Sequence, residues 1–233
     1  MNVAIIPAAG QGLRMGGKRA KQFLKLDGIP VIIHTLKRFE QCPDIDQVVV
    51  VLPANDVKGF PALARRFDLR KVAQCIAGGK TRSQSVRLGL QSLLQPDAKM
   101  VAVHDGVRPF VTPEEISQTL RAAKRTGAAI LVAPVTDTIK FVRGRTVLHT
   151  IPRDRFRRAL TPQCFHYQLL RDAFQRAGSL MNKATDDSML LEASGRVTFV
   201  EGNARNIKIT GPEDLALAEI ILQQNPEFRI KPF

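Results

Sequence analysis

VAIIPAAGQGLRMGGKRAKQ, residues 3–22, sets four apolar residues ahead of a run of glycine, alanine and basic side chains. Val3 to Ile6 is continuously apolar, the pattern of a strand buried on both faces of a sheet. Behind it, glycines allow backbone conformations that aim successive N–H groups at an anion, and Arg14, Lys18, Arg19 and Lys21 lie within reach with no acid among them. A buried strand running into such a loop opens a phosphate-binding α/β fold.

The rest of the chain keeps that rhythm. QVVVVLP (47–53), VAQCIA (72–77), MVAVHD (100–105), AAILVAPV (128–135) and VTFVEG (197–202) read as further strands. Between them, Val86, Leu90, Leu93 and Leu94 recur at helical spacing. Thr112-Pro-Glu-Glu115 and Thr210-Gly-Pro-Glu213 each read as a capping box, and Pro113 falls at the first helical position, where its missing N–H costs nothing. Strand and helix alternate, so the fold class is α/β with a mainly parallel sheet flanked by helices. TDTIKFVRGRTVLHT (136–150) breaks the pattern: two short β-like runs flank Arg143-Gly144-Arg145, a hairpin expected to project from the core. No linker divides the chain, so residues 1–233 read as one domain.

With 44% hydrophobic and 24% charged residues the composition is that of a globular protein. No apolar stretch approaches the roughly 20 residues needed to span a bilayer, and the strand-like start leaves no room for a signal peptide. Cys42, Cys75 and Cys164 are odd in number and lack CxxC spacing, which argues against a disulfide framework or a zinc site. A cytoplasmic location is expected. The formal net charge of +14 implies an anionic partner, or only a solubility choice. The basic residues are dispersed, Trp is absent and there is one Tyr, which disfavours a nucleic-acid-binding module. A phosphorylated small substrate fits better.

Two familiar phosphate motifs fail by position. GxGxxG starts at Gly10-Gln11-Gly12 but has Met15 at the third glycine, which argues against a nicotinamide-dependent oxidoreductase. GxxxxGK[ST] laid on Gly12 to Lys18 fails at Arg19, where a hydroxyl should reach Mg²⁺. What remains is a loop that approaches its ligand closely, with Arg14 and Lys21 available to clamp it.

Longer motifs are more specific. PAAGQGLRM with KQFLKL (7–26), GGKTRSQSV (78–86), VHDGVRPF (103–110), APVTDTIK (133–140), ALTPQCF (159–165), ATDDSMLLE (184–192) and NIKITGPEDLALAE (206–219) together cover nearly the whole chain. In order and content they resemble the 2-C-methyl-D-erythritol 4-phosphate cytidylyltransferases of the non-mevalonate isoprenoid pathway. The resemblance implies a Rossmann-like domain, CTP and Mg²⁺, and a homodimer made by exchanging a β-arm, here residues 136–158. It implies that Arg14 and Lys21 stabilise the pentacoordinate transition state, and that Arg153 and Lys208 position methylerythritol phosphate. Arg108 and Thr138 would contact that substrate as well, while Pro7, Ala8, Ala9, Gly10, Gly79, Ser85 and Asp105 would line the CTP site. Ribitol 5-phosphate cytidylyltransferases carry similar loop motifs and form the nearest alternative.

The chemistry is consistent with this residue set. A phosphate monoester loses its second proton near pH ~6, so an acceptor phosphate is already charged at neutral pH and needs no general base. No Ser/His/Asp or Cys/His arrangement is evident. The difficulty is repulsion between two anions, which fixed cations relieve. Asp105 closes an apolar run, at the end of a strand where open α/β sheets bind ligands, and suits a ribose hydroxyl or Mg²⁺. Asp186 and Asp187 read as a helix N-terminal charge, since adjacent carboxylates on a helix point apart. His104 is expected to be buried beside the site. The chain departs from the family pattern at Ala20, Gly106, Val107, Pro152 and Arg157, positions that bear on the second substrate and the arm more than on the CTP loop.

Overall fold

The structure, a computed structural model, describes residues 1–10, 20–93, 98–192, 195 and 197–230. Strand β1 (Asn2–Pro7) leads through a small ribbon, β2 (Lys25–Leu26) and β3 (Ile29–Pro30), into helix α1 (Val31–Gln41). Strand β4 (Gln47–Leu52), helix α2 (Phe60–Arg66), strand β5 (Val72–Ala77) and helix α3 (Arg82–Ser92) follow. Next come β6 (Met100–Val103), α4 (Pro113–Thr126), β7 (Ala128–Pro134) and the hairpin β8 (Ile139–Arg143) and β9 (Thr146–Ile151). The chain continues through β10 (Arg157–His166), α5 (Tyr167–Arg176), the short helices α6 (Leu180–Lys183) and α7 (Met189–Glu192), β11 (Thr198–Glu201) and α8 (Pro212–Gln224).

The main sheet has seven strands in the order β11-β7-β10-β6-β1-β4-β5. β1 pairs in parallel with both β4 and β6, while β10 runs antiparallel between β6 and β7. The chain leaves β1 toward β4 and β5, then returns to β6 on the other side. That reversal opens a crevice beyond the carboxyl ends of β1 and β6, the usual ligand position in such sheets.

Side chains alternate across the strands as the period of two requires. Ala4, Ile6, Val48 and Val50 face Ile32, Ile33, Leu36 and Phe39 of α1 and Ile116, Leu120 and Ala123 of α4. Val3, Ile5, Val49, Val51, Val101 and Val103 face Val86 and Leu90 of α3 and Leu170 and Phe174 of α5. Every apolar run singled out above forms a strand.

One strand was not legible. β10 contains Pro162, which cannot donate to a ladder, and opens on Arg157 and Arg158, so it reads as loop. The structure accommodates the proline in an irregularity, since pairing with β7 shifts register between Ala159 and Gln163.

The caps divide. Thr112 and Glu115 form the full box at α4, with Glu115 N–H donating to Thr112 Oγ1 at 3.1 Å and Thr112 N–H to Glu115 Oε2 at 2.8 Å. At α8 the expected partner was Glu213, and the structure uses Asp214 instead. Asp214 Oδ2 accepts the Thr210 hydroxyl at 2.6 Å, Thr210 N–H at 2.7 Å and Gly211 N–H at 2.9 Å. Gly211 is the N-cap, one position later than Thr210, which moves the third helical residue to Asp214.

β8 and β9 form their own two-stranded sheet around Gly144, whose φ of +55° is the left-handed turn conformation glycine allows. Its apolar side chains Phe141, Val142, Val147 and Leu148 are exposed.

Candidate active site

A cleft of about 510 Å³ opens at the carboxyl end of the sheet. Pro7, Ala8, Ala9 and Gly10 leave β1 along one wall, and Gly79, Lys80 and Thr81 follow β5 along another. These two loops touch. A Cβ on Gly78 would lie 2.2 Å from Ala9 Cβ and 2.9 Å from Ser85 Oγ, so only glycine permits the approach. Ser85 ties the second loop to α3, accepting the Gly79 N–H at 3.1 Å and donating to the Thr81 carbonyl at 3.0 Å. Thr81 caps α3, and the positive end of that helix faces the cleft.

Asp105 stands at the cleft floor among three cations. Arg82 Nε is 2.8 Å from Oδ1, and Lys208 Nζ and Arg108 Nε are 3.0 and 3.3 Å from Oδ2. Burial alone would raise the Asp105 carboxyl, but Arg82, Lys208 and Arg108 outweigh it and hold it well below the usual range.

Hydrogen bonds behind the floor fix the loop. His104 Nε2 lies 3.0 Å from the Arg108 carbonyl, which can only accept, so Nε2 carries the proton. Nδ1 then accepts the Thr161 hydroxyl at 3.0 Å, leaving Thr161 Oγ1 to accept the Asp105 N–H at 3.2 Å. Burial lowers His104 to about 4, which keeps it neutral in this chain of contacts. Its expected place, buried beside the site, is the one observed.

Asp187 corrects an expectation. The sequence pairs it with Asp186 as a helix N-terminal charge, yet it is 1% exposed and pairs with Arg82 Nη1 at 2.8 Å. A carboxylate that deep needs a cation, and Arg82 spans Asp105 and Asp187 to serve both. Asp186 does take the capping part, accepting Met189 N–H at 3.0 Å at the start of α7. Gln163 locks the pair, donating to Asp186 at 2.9 Å and accepting the Asp187 and Ser188 N–H groups at 3.0 and 3.1 Å.

Lys21 lines the cleft from the turn before β2, and Lys208 and Thr210 line it from the segment before α8. Among the residues singled out for the nucleotide, Pro7, Ala8, Ala9, Gly10, Gly79, Ser85 and Asp105 all line this one cleft. Arg108 reaches it through Asp105. Arg14 lies outside the described residues. Thr138 and Arg153 are exposed on the arm and do not line the cleft, and Arg153 donates to the Thr136 carbonyl instead. Arg82, Thr161, Gln163 and Asn206, whose Nδ2 donates to the Thr161 carbonyl at 2.8 Å and whose carbonyl accepts from Arg108 Nη1 at 2.9 Å, carry no signal in the sequence reading. Arg82 lay in plain view inside GGKTRSQSV, but its two carboxylate partners come from distant parts of the chain.

A family model described as 2-C-methyl-D-erythritol 4-phosphate cytidylyltransferase matches residues 2–224. The chain belongs to this family. The relative of that name from Syntrophotalea carbinolica is 43% identical over 230 residues, 97% of each chain. Its counterpart from Halalkalibacterium halodurans is 43% identical over 221 residues, 94% of this chain and 96% of that one. Among solved structures, the 4-diphosphocytidyl-2C-methyl-D-erythritol synthase of Anaerococcus prevotii superposes with a TM-score of 0.84 at 32% identity, covering 95% of this chain and 96% of that one. The cytidylyltransferase of Thermus thermophilus gives 0.74 at 36% identity, covering 95% and 98%. The family is one of nucleotidyltransferases, enzymes that generally use a divalent metal. Among the described residues, no group of three or more His, Cys, Asp or Glu side chains is placed to hold an ion. Among the described residues Asp105 is the one carboxylate lining the cleft, a donor set that suits an ion held mainly by phosphate oxygens. No helix among the described residues is long and apolar enough to cross a membrane.

Proposed function

We propose that this cleft transfers CMP from CTP to 2-C-methyl-D-erythritol 4-phosphate, releasing pyrophosphate and forming CDP-methylerythritol for isoprenoid precursor synthesis. The observation that carries the reading is the convergence of Arg82, Arg108 and Lys208 on Asp105 in a cleft walled by the Pro7–Gly10 and Gly79 loops. Such a site offers fixed positive charge to two anions at once, and no side chain placed as a nucleophile is needed.

In this reading the backbone of Ala8 to Gly10 and of Gly79 lies against the nucleotide, with Ser85 holding the Gly79 loop. An oxygen of the acceptor phosphate attacks the α-phosphorus in line. The new P–O bond forms as the bond to the β-phosphate oxygen breaks, and pyrophosphate leaves with the electron pair. Lys21 and Arg14 stabilise the charge that builds on the α-phosphoryl oxygens, because cations fixed beforehand need no reorganisation during reaction. Lys208 and Arg108, already oriented by Asp105, meet the acceptor phosphate.

Mg²⁺ fits as the metal. Asp105 would hold it, since Oδ1 accepts one hydrogen bond and keeps a lone pair, and the ion would screen the triphosphate.

The arm, residues 136–158, is read as exchanged with a second copy in a cytoplasmic homodimer. Its exposed Phe141, Val142, Val147, Leu148 and Phe156 support this, because an isolated two-stranded hairpin is marginal in water. Exchange would also bring Thr138 and Arg153 to the partner's cleft. The unpaired state of Cys42, Cys75 and Cys164 suits a reducing compartment.

Pyrophosphate release with CTP against a panel of polyol phosphates tests the function. Release with methylerythritol phosphate far above ribitol 5-phosphate is expected; the reverse order would assign the alternative substrate.

A further inference from the structure

The segment after α8 lies beyond the family match, yet it is bound into the protein by a buried charge. Arg38 of α1 is 3% exposed. Its Nη1 donates to the Glu227 carbonyl at 3.1 Å and its Nη2 to the Phe228 carbonyl at 2.9 Å. The guanidinium also lies 5.3 Å from the centre of the Phe228 ring. Burial lowers this arginine to about 10, and the nearby Glu227 carboxylate offsets part of that loss.

Phe228 is buried as well, meeting Phe110 edge-on at 5.3 Å. Both belong to an apolar cluster with Leu26, Val31, Val107, Ile209, Ala218, Ile221 and Leu222. Two of these are backbone neighbours of the cleft. Val107 follows Asp105 by two residues, and Ile209 separates Lys208 from Thr210. They are joined directly, Ile209 N–H donating to the Val107 carbonyl at 2.9 Å. Phe228 therefore belongs to the cluster that backs the strip carrying Lys208 and Arg108, while the nucleotide loops after β1 and β5 rest on other packing.

We infer that residues 225–228, clamped by Arg38, form a buttress that sets the position of Lys208 and the Asp105–Arg108 loop toward the acceptor phosphate. Arg38 and Phe228 are positioning residues for the second substrate. The inference rests on the reading above that Lys208 and Arg108 meet that phosphate. Interior packing transmits displacement, so a void behind Val107 and Ile209 moves the cations in front of them.

The test compares KM for methylerythritol phosphate and for CTP in the wild type, Phe228→Ala, Phe228→Leu, Arg38→Lys and Lys208→Ala, with the melting temperature of each recorded. Phe228→Ala should raise the acceptor KM about tenfold and leave the CTP KM within about twofold, and Phe228→Leu should restore it. Arg38→Lys keeps the charge but cannot span both carbonyls, so it should give the same split with a smaller size, and it carries the test if Phe228→Ala does not fold. Acceptor KM values that stay at wild type, or that rise together with those for CTP, while Lys208→Ala raises the acceptor KM, would overturn the buttress alone. An acceptor KM untouched by Lys208→Ala would instead remove the underlying reading, and the inference with it.

Discussion

Arg82 bridges to Asp187 across 2.8 Å, joining the first turn of α3 to the segment before α7 beneath the cleft. Asp187 is 1% exposed, so its charge depends on this arginine. Breaking a buried pair by removing one partner costs about 3–5 kcal/mol. Asp187→Ala should fall near the lower end, about 3 kcal/mol, because Arg82 keeps Asp105. Denaturant unfolding measures it, and a loss below about 1 kcal/mol, the worth of an exposed pair, would show the bridge to be incidental.

The cations at the cleft should carry the rate. Removing one preorganised donor from a transition state typically costs about 10²–10³ in kcat. Lys21→Ala and Arg14→Ala should each lose that factor with the fold retained, while Arg125→Ala, on the exposed last turn of α4, should match the wild type. Circular dichroism and steady-state kinetics suffice. Equal, small losses at all three positions would mean a diffuse field in place of a clamp.

Gly78 offers a steric check on the nucleotide side. A methyl group there would meet Ala9 Cβ at 2.2 Å, and Ala9 lies in the backbone wall of the cleft. Gly78→Ala should weaken CTP binding by about tenfold or more in a direct titration, since overpacking displaces the loop by main-chain shifts. Unchanged CTP affinity would place the nucleotide elsewhere.

Stability should fall as pH drops through the histidine window, offset in part by Asp187, whose burial outweighs Arg82 and raises its carboxyl. Burial lowers His34 and His104 from 6.5 to about 4 in the folded chain. Between those values the unfolded state binds protons that the folded state does not, so stability rises with pH across the window and is lost as pH falls through it. The slope reaches at most about 2.7 kcal/mol per pH unit if both histidines contribute fully. Asp105, depressed in the fold, adds its loss only below the ordinary carboxylate range of about 4. Urea midpoints measured from pH 7 to 4.5 should fall steadily, and His104→Gln should flatten the curve.

The exchanged arm makes a quantitative claim. Lys21 lines the cleft of its own chain, whereas Arg153 projects on the arm. Mixing inactive Lys21→Ala chains with inactive Arg153→Ala chains should restore about a quarter of wild-type activity, because half of the random dimers are mixed and each holds one intact site. Verified mixed dimers without activity would reject exchange.

Most of the sheet was legible because buried parallel strands announce themselves as unbroken apolar runs, as Val48 to Leu52 does. β10 was hidden by Pro162 and by Arg157 and Arg158, residues that belong to a strand only through an irregular pairing. The grouping of the cleft wall was legible because Pro7 closes a strand and Ala8 to Gly10, Gly79 and Asp105 each follow one at the same carboxyl end of the sheet. Arg82 and Asp187 were not, since 105 positions separate them and neither carries a local pattern that names the other. The α8 cap differed by one residue, a difference that Glu213 and Asp214 cannot reveal side by side.

The central claim is direct transfer, with an acceptor phosphate oxygen attacking the α-phosphorus and no protein nucleophile between. The stereochemical course at that phosphorus measures it, using CTP carrying a chiral α-thiophosphate and methylerythritol phosphate. A single in-line displacement inverts the centre, and inversion is the expected result. Retention would require two displacements through a covalent enzyme intermediate and would contradict the account.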